Sequence, residues 1–203
     1  LDGDDDAVKL ELDKVLEILS NSSSLTLAKN EQQRLSLWQG RKAAFPAVGR
    51  LSPDYYCMDG TIPRRYLADV LEKISELSEF YGLRVANVFH AGDGNLHPLI
   101  LYDANKEGEL EKTEKFGTDI LKLCVDFGGS ITGEHGVGIE KLDAMCHQFA
   151  SDELEIFHQI KTVFDPKALL NPGKAVPTLH RCAELGGMHV HNGELPHPEL
   201  ERF

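Results

Sequence analysis

Two apolar runs flank the glycine-broken segment His90-Ala-Gly-Asp-Gly-Asn-Leu-His97, and this restricts the fold more than any other feature of the 203-residue chain. Leu83 to His90 is rich in Val and alternates, Ala91-Gly92-Asp93-Gly94 reads as a turn, and Leu96 to Tyr102 is apolar again. Such patterning on either side of a tight Gly/Asp turn predicts an antiparallel hairpin. Helical periodicities surround it. Leu67, Val70, Leu71, Ile74 and Leu77 mark an amphipathic helix ending near Gly82. A helix is expected from Glu109 to Phe127, closed by Gly128-Gly129, with further helices over Ile139 to Phe149 and Asp152 to Phe164. Earlier, Asp4-Asp5-Asp6 reads as an acidic helix start, followed by the apolar face Val8, Leu12, Val15, Leu16 and Leu19. Leu35, Leu37, Trp38, Ala43 and Ala44 continue a second helical pattern, broken near Pro46. Between Pro53 and Pro63, the run Tyr55 to Met58 predicts a strand. Asp165-Pro166 should open a short turn of helix that Asn171-Pro172-Gly173 breaks, and an irregular tail is expected after about Pro177. The expectation is an α+β layer architecture of helices and antiparallel strands.

Size and charge narrow the class. A chain of this length buries one substantial core or two small ones. A net charge of −12 argues against nucleic acid as the main partner, because phosphate binding needs clustered Lys and Arg. No apolar run approaches the roughly 20 residues needed to span a bilayer, and no signal-peptide pattern opens the chain. Cys57, Cys124, Cys146 and Cys182 are far apart and form no CxxC, which disfavours a disulfide framework or zinc ribbon and fits a reducing compartment. The abrupt helical start suggests a chain truncated at its N-terminus.

The chemistry concentrates in two glycine-rich segments. His90 and His97 would face opposite ways on one straight strand. A hairpin removes that obstacle by setting the end of one strand beside the start of the next. The second segment is Thr132-Gly133-Glu134-His135-Gly136-Val137-Gly138, whose glycines suit close approach of a ligand. Glu134 and His135 are adjacent and project differently, so one can ligate a metal while the other faces substrate. Two His and one Glu form a catalytic metal set with open positions. The bland reading is that these are satisfied structural histidines in ordinary turns. Neither Gly92-x-Gly94 nor Gly136-x-Gly138 is completed to GxGxxG, so no dinucleotide loop is expected. On the residues alone, a His/His/Glu metallohydrolase and a non-catalytic interaction module both stay open.

A resemblance adds to this reading. His90 to His97, Gly129-Ser-Ile-Thr-Gly-Glu-His-Gly-Val-Gly138 and Leu170-Asn-Pro-Gly-Lys174 resemble the signatures of the FAD-linked oxidase C-terminal domain family. That family includes D-lactate and D-2-hydroxyglutarate dehydrogenases and the flavin subunit of glycolate oxidase. Trp38 to Arg50, Asp54 to Pro63 and the tail His180 to Phe203 resemble the glycolate oxidase branch. The resemblance implies a ferredoxin-like antiparallel sheet covered by helices, with a C-terminal helical extension. Residues 1–177 would be the substrate (cap) domain and residues 178–203 a His/Cys-containing tail. It implies His90, His97 and Glu134 as ligands of a divalent metal (Zn, Mn or Fe) and His135 as the base. Arg41 and Asn95 would bind substrate, and Asn171 and Lys174 would approach FAD or close the site. Other members carry a lysine near the position of Cys57. The implied activity is oxidation of a 2-hydroxyacid, glycolate or D-lactate, by hydride transfer to FAD held mainly by an upstream domain. The implied partners are that domain and other oxidase subunits, an iron–sulfur subunit among them, with self-association of the isolated cap face. The implied location is cytoplasmic, at the inner membrane face through those subunits. His180, Cys182, His189, His191 and His197 fit no zinc module by spacing, and the resemblance makes a docking role for the tail at least as good an expectation as a second metal site.

Overall fold

The computed structural model describes Leu1 and residues 3–177, and the chain divides into a compact unit Leu1–Ala44 and a second unit beginning at Phe45. The tail expected to carry a docking role or extra metal ligands, including His180 and Cys182, lies outside the described residues. The first unit is helical. Helix α1 (Asp5–Ile18) is capped by Asp4, whose carboxylate accepts the Ala7 amide, and Asp5 and Asp6 sit at its positive dipole end. Helix α2 (Glu31–Lys42) is capped by Asn30 through the Gln33 amide and carries Arg41 and Lys42 in its last turn. Short helix α3 (Ala44–Val48) follows where Pro46 interrupts the pattern.

The second unit is built on strand β4 (Asn95–Tyr102), buried along nearly its whole length. Strand β3 (Val85–His90) pairs antiparallel with it on one side, with His90 opposite Asn95 and Val88 opposite His97. Strands β1 (Asp54–Cys57) and β2 (Gly60–Thr61) share its other side in continuous register, Cys57 facing Leu99 and Gly60 facing Leu96. The predicted strand over Pro53–Pro63 is therefore two short strands broken at Met58-Asp59. Helix α4 (Leu67–Tyr81) joins β2 to β3, ending where Gly82 turns left-handed at φ 60°. Helix α5 (Glu109–Asp126) follows β4, and an antiparallel bridge then joins Ser130 to Thr61. Spatial order is thus Ser130, β1/β2, β4, β3, a ferredoxin-like βαββαβ arrangement whose last strand is reduced to one bridge.

Strand parity decides which face carries chemistry. Met58, Leu96 and Ile100 point to the helical side, packing with Val70 and Ile74 of α4 and Phe116, Ile120, Leu121 and Cys124 of α5. Leu99, Leu101, Cys57, Ala86 and Val88 point the other way, toward Phe45 and Val48. By the same alternation His90, Asn95 and His97 belong to this second face.

Two helical expectations need correction. The helix expected from Ile139 begins only at Leu142, as α6 (Leu142–Gln148), because Ile139–Lys141 form a turn that exposes Ile139 and swings Lys141 inward. Asp165-Pro166 opens a set of turns and no helix, because Asp165 turns its carboxylate back onto the Leu169 and Leu170 amides. Helix α7 (Ser151–Phe164) lies as expected, with Glu153 accepting the Ala150 amide at its start.

Candidate metal and acid–base site

The two glycine-rich segments meet at the open end of the sheet. Glu134 Oε1 lies 2.8 Å from His97 Nε2, 3.7 Å from His90 Nε2 and 3.9 Å from His135 Nε2. The His97 and His135 rings stack with centroids 5.0 Å apart, and the His90 ring meets His97 edge-on at 5.4 Å. His97 is buried, while His90, Glu134 and His135 are each about half exposed. The site therefore has a fixed floor and an accessible rim.

The hydrogen bonds of His97 fix its chemistry. Its Nδ1 lies 3.2 Å from the Met58 carbonyl, which can only accept, so Nδ1 carries a proton. Nε2 then faces the Glu134 carboxylate at 2.8 Å. Two acceptors facing each other at this distance repel, and a bound cation between them would relieve the contact. Two donors on one ion at about 2.1 Å each can be at most about 4.2 Å apart, and all three Glu134–His separations satisfy this. His97, Glu134 and His135 fit a divalent metal, whereas His90 approaches Glu134 at 3.7 Å and belongs to neither set of mutually close ligand atoms among the described residues.

Two neighbours complicate the set. Ligand atoms of Asp59, His97, Glu134 and His135 all lie within 4.8 Å of one another, as do those of Cys57, His97 and His135. Asp59 is a poor ligand because its Oδ2 already accepts the Thr132 hydroxyl, the Gly133 and His135 amides and Lys141 Nζ. Cys57 is a poor one because burial, and then the charge of Asp59, push its thiol up to about 11, leaving it neutral.

Asn95 lies at the start of β4, buried, with the bare Cα of Gly133 against its carboxamide. A Cβ on Gly133 would come within 2.4 Å of Asn95 Oδ1, so only glycine lets the loop lie there. That Oδ1 has no hydrogen-bond partner among the described residues, which suits a ligand hydroxyl or amide. Beside His135, Cys57, Val137, Glu140, Lys141 and Lys174 line a cavity of about 320 Å³. Lys174 thus lies at the site's edge, held by the turn in which its amide donates to the Asn171 carbonyl. Asn171 itself sits at φ 44°. Arg41 lies exposed on α2 in the first unit.

Asp59 and Lys141 are the residues that the motif reading missed. Both are buried and paired at 3.0 Å, and burial, which opposes the Asp59 charge, is outweighed by Thr132, the His135 amide and Lys141, holding its carboxyl well below the usual range. Their only signal was adjacency: Asp59 precedes Gly60 in a strand break, and Lys141 follows the glycine-rich loop.

The family model "FAD linked oxidases, C-terminal domain" matches residues 1–175, and the chain belongs to that family. It is 62% identical, over its whole length, to glycolate oxidase subunit GlcD of Escherichia coli (strain K12), covering 41% of that protein. GlcD of Bacillus subtilis is 31% identical over 85% of the chain, covering 37% of that protein. The mitochondrial D-lactate dehydrogenase [cytochrome] of Kluyveromyces lactis is 34% identical over 76% of the chain and 27% of that protein. The chain spans about two fifths or less of the length of these relatives. Among solved structures, a 4-ethylphenol oxidase from Gulosibacter chungangensis matches 85% of the chain and 38% of its own, at TM-score 0.51 and 16% identity, which shows a shared fold. The relatives lend no support to a stand-alone metallohydrolase or a purely structural module. Among the described residues no helix is long and apolar enough to cross a membrane.

Proposed function

We propose that this chain forms the substrate- and metal-site portion of an FAD-dependent 2-hydroxyacid oxidoreductase, converting glycolate to glyoxylate or D-lactate to pyruvate. The convergence of His90, His97 and Glu134 from two separate turns, with His135 stacked alongside, carries this reading. When bound, a divalent ion (Zn, Mn or Fe) supplies positive charge at the substrate hydroxyl, and FAD supplies the hydride acceptor. His90, His97 and Glu134 would hold the ion. Arg41 pairs with the substrate carboxylate, a bidentate geometry that fixes orientation, and Asn95 offers its unpartnered Oδ1 to the bound acid. His135 Nε2 takes the hydroxyl proton while the α-hydrogen departs as hydride, leaving a 2-oxoacid. Asn171 and Lys174 approach the flavin or close the site, and the position of Lys174 in the cavity beside His135 supports this.

FAD itself would be held mainly by an upstream domain, a reading supported by the chain's coverage of only 41% and 37% of its glycolate oxidase relatives. The subunit names of the relatives support partnership with further subunits, and an iron–sulfur subunit would be one of them. A cytoplasmic complex, reaching the membrane through those subunits, suits such an enzyme. The test uses the full-length protein and dye reduction driven by glycolate or D-lactate. His135→Asn should lower kcat about 10²- to 10⁴-fold, the range for losing a general base, with the melting temperature unchanged. Wild-type turnover in that variant, or no turnover of any 2-hydroxyacid by the parent, would contradict the reading.

A further inference from the structure

Two parts of the site, the His97 ring and the loop carrying Glu134 and His135, rest on one dipeptide, Met58-Asp59, in the break between β1 and β2. The break begins with a proline. Met58 N–H donates to the Pro98 carbonyl at 3.1 Å, as an antiparallel ladder requires, but Pro98 has no N–H to return. Proline is normally excluded from a central strand for this reason. Here the Met58 carbonyl, left without a ladder amide, accepts from His97 Nδ1 at 3.2 Å and from the Cys57 thiol at 3.5 Å. Proline at the neighbouring position thus frees the acceptor that sets the tautomer of His97.

Asp59 does the same for the other half of the site. Its carboxylate, fully buried, accepts three successive amides: Gly133 at 3.1 Å, Glu134 at 3.2 Å and His135 at 3.0 Å. It also accepts the Thr132 hydroxyl at 2.7 Å, and that oxygen in turn accepts the Gly136 amide at 2.9 Å. Lys141 supplies the counter-charge, donating to Asp59 Oδ2 at 3.0 Å and to the Asp59 carbonyl at 2.9 Å. Five successive residues, Thr132 to Gly136, therefore take their backbone course from one anion. The chain enters this loop already pinned, through paired hydrogen bonds between Thr61 and Ser130. A concavity of amides around an anion normally marks a ligand site. In this loop a side chain of the protein fills it, so the cradle serves the loop's own geometry.

We propose that Asp59, neutralised by Lys141, is the positioning residue that aims Glu134 at His90 and His97 and holds the His135 ring against His97. This rests on the metal and acid–base roles proposed above. Glu134 and His135 lie in a bend from which both side chains reach His97, and one anchored anion holds that bend. Without it, the glycine-flanked loop would sample other courses.

The experiment uses the full-length flavoprotein and three variants: Asp59→Asn, Thr132→Val and Glu134→Gln. Asparagine presents an NH2 group to amides that can only donate, so contacts are lost while volume is kept. Metal affinity is read by chelator competition, and kcat and KM on protein that circular dichroism shows to be folded. Asp59→Asn should weaken metal affinity at least tenfold and lower kcat at least tenfold, with KM nearly unchanged. Thr132→Val removes one hydroxyl and guards against a variant that fails to fold. It should give a three- to tenfold loss in the same two quantities. If both variants lower only thermal stability, and folded protein keeps wild-type metal affinity and kcat, Asp59 is merely structural and the proposal fails. Glu134→Gln separates the two claims: were it to keep metal and turnover, the site assignment itself would be wrong.

Discussion

Two clusters of polar side chains lie within a few ångströms of each other and obey opposite rules. Around Asp59 the charges are buried, and every donor and acceptor is matched, from the Thr132 hydroxyl to Lys141 Nζ. Around Glu134 three of the groups are half exposed, a carboxylate is ringed by three imidazoles, and the buried Asn95 Oδ1 has no partner among the described residues. A satisfied buried network stabilises a unique conformation. An unsatisfied accessible one costs stability and is retained where something binds. On the proposed reading, the contrast teaches a separation of holding from reacting: Asp59 would carry the geometry, and the half-exposed His90 and His135 would meet metal and substrate.

The contrast is broken most violently by removing one member of the buried pair. Lys141→Met leaves Asp59 as an uncompensated charge in the interior, a loss expected to cost about 3–5 kcal/mol. Equilibrium denaturation would show this as a lower midpoint at an unchanged slope. Adding Asp59→Asn to that variant should restore part of the stability, since the orphaned charge disappears. A double variant as unstable as the sum of the two singles would mean the residues act independently. A smaller effect, on the reacting side, is expected at Arg41. Arg41→Ala in the full-length enzyme should reduce 2-hydroxyacid turnover about 10- to 100-fold, as for loss of a charged hydrogen bond of about 1.5–3 kcal/mol. Stability should move by no more than about 0.5 kcal/mol at this exposed position. A variant that unfolds readily yet keeps activity per folded molecule would make Arg41 structural.

Much of the frame was legible in the residues. Alternation on both sides of Ala91–Gly94 gave the β3–β4 hairpin, and Gly82 marked the end of α4 where a left-handed cap is needed. The hairpin and the glycine-rich loop bring Glu134 within 3.7 Å of His90 and 2.8 Å of His97, as their spacing allowed. Asp59 was not legible, because an aspartate before glycine is the ordinary mark of a turn. Its burial depends on amides 74 to 76 residues away and on Lys141, 82 residues away, none of which leaves a local trace. The late start of α6 had the same origin. Apolar periodicity from Ile139 looked helical, but Lys141 is drawn inward to Asp59 and the preceding turn leaves Ile139 exposed.

The central claim is that two glycine-rich turns build one divalent-metal site for 2-hydroxyacid oxidation. Anomalous diffraction from crystals of the full-length protein equilibrated with manganese measures it directly. The account predicts a single strong peak within about 2.1–2.3 Å of His97 Nε2 and Glu134 Oε1, with His90 completing the protein ligands. No peak there in crystals of protein that turns over glycolate or D-lactate, or a peak held by other residues, would contradict it.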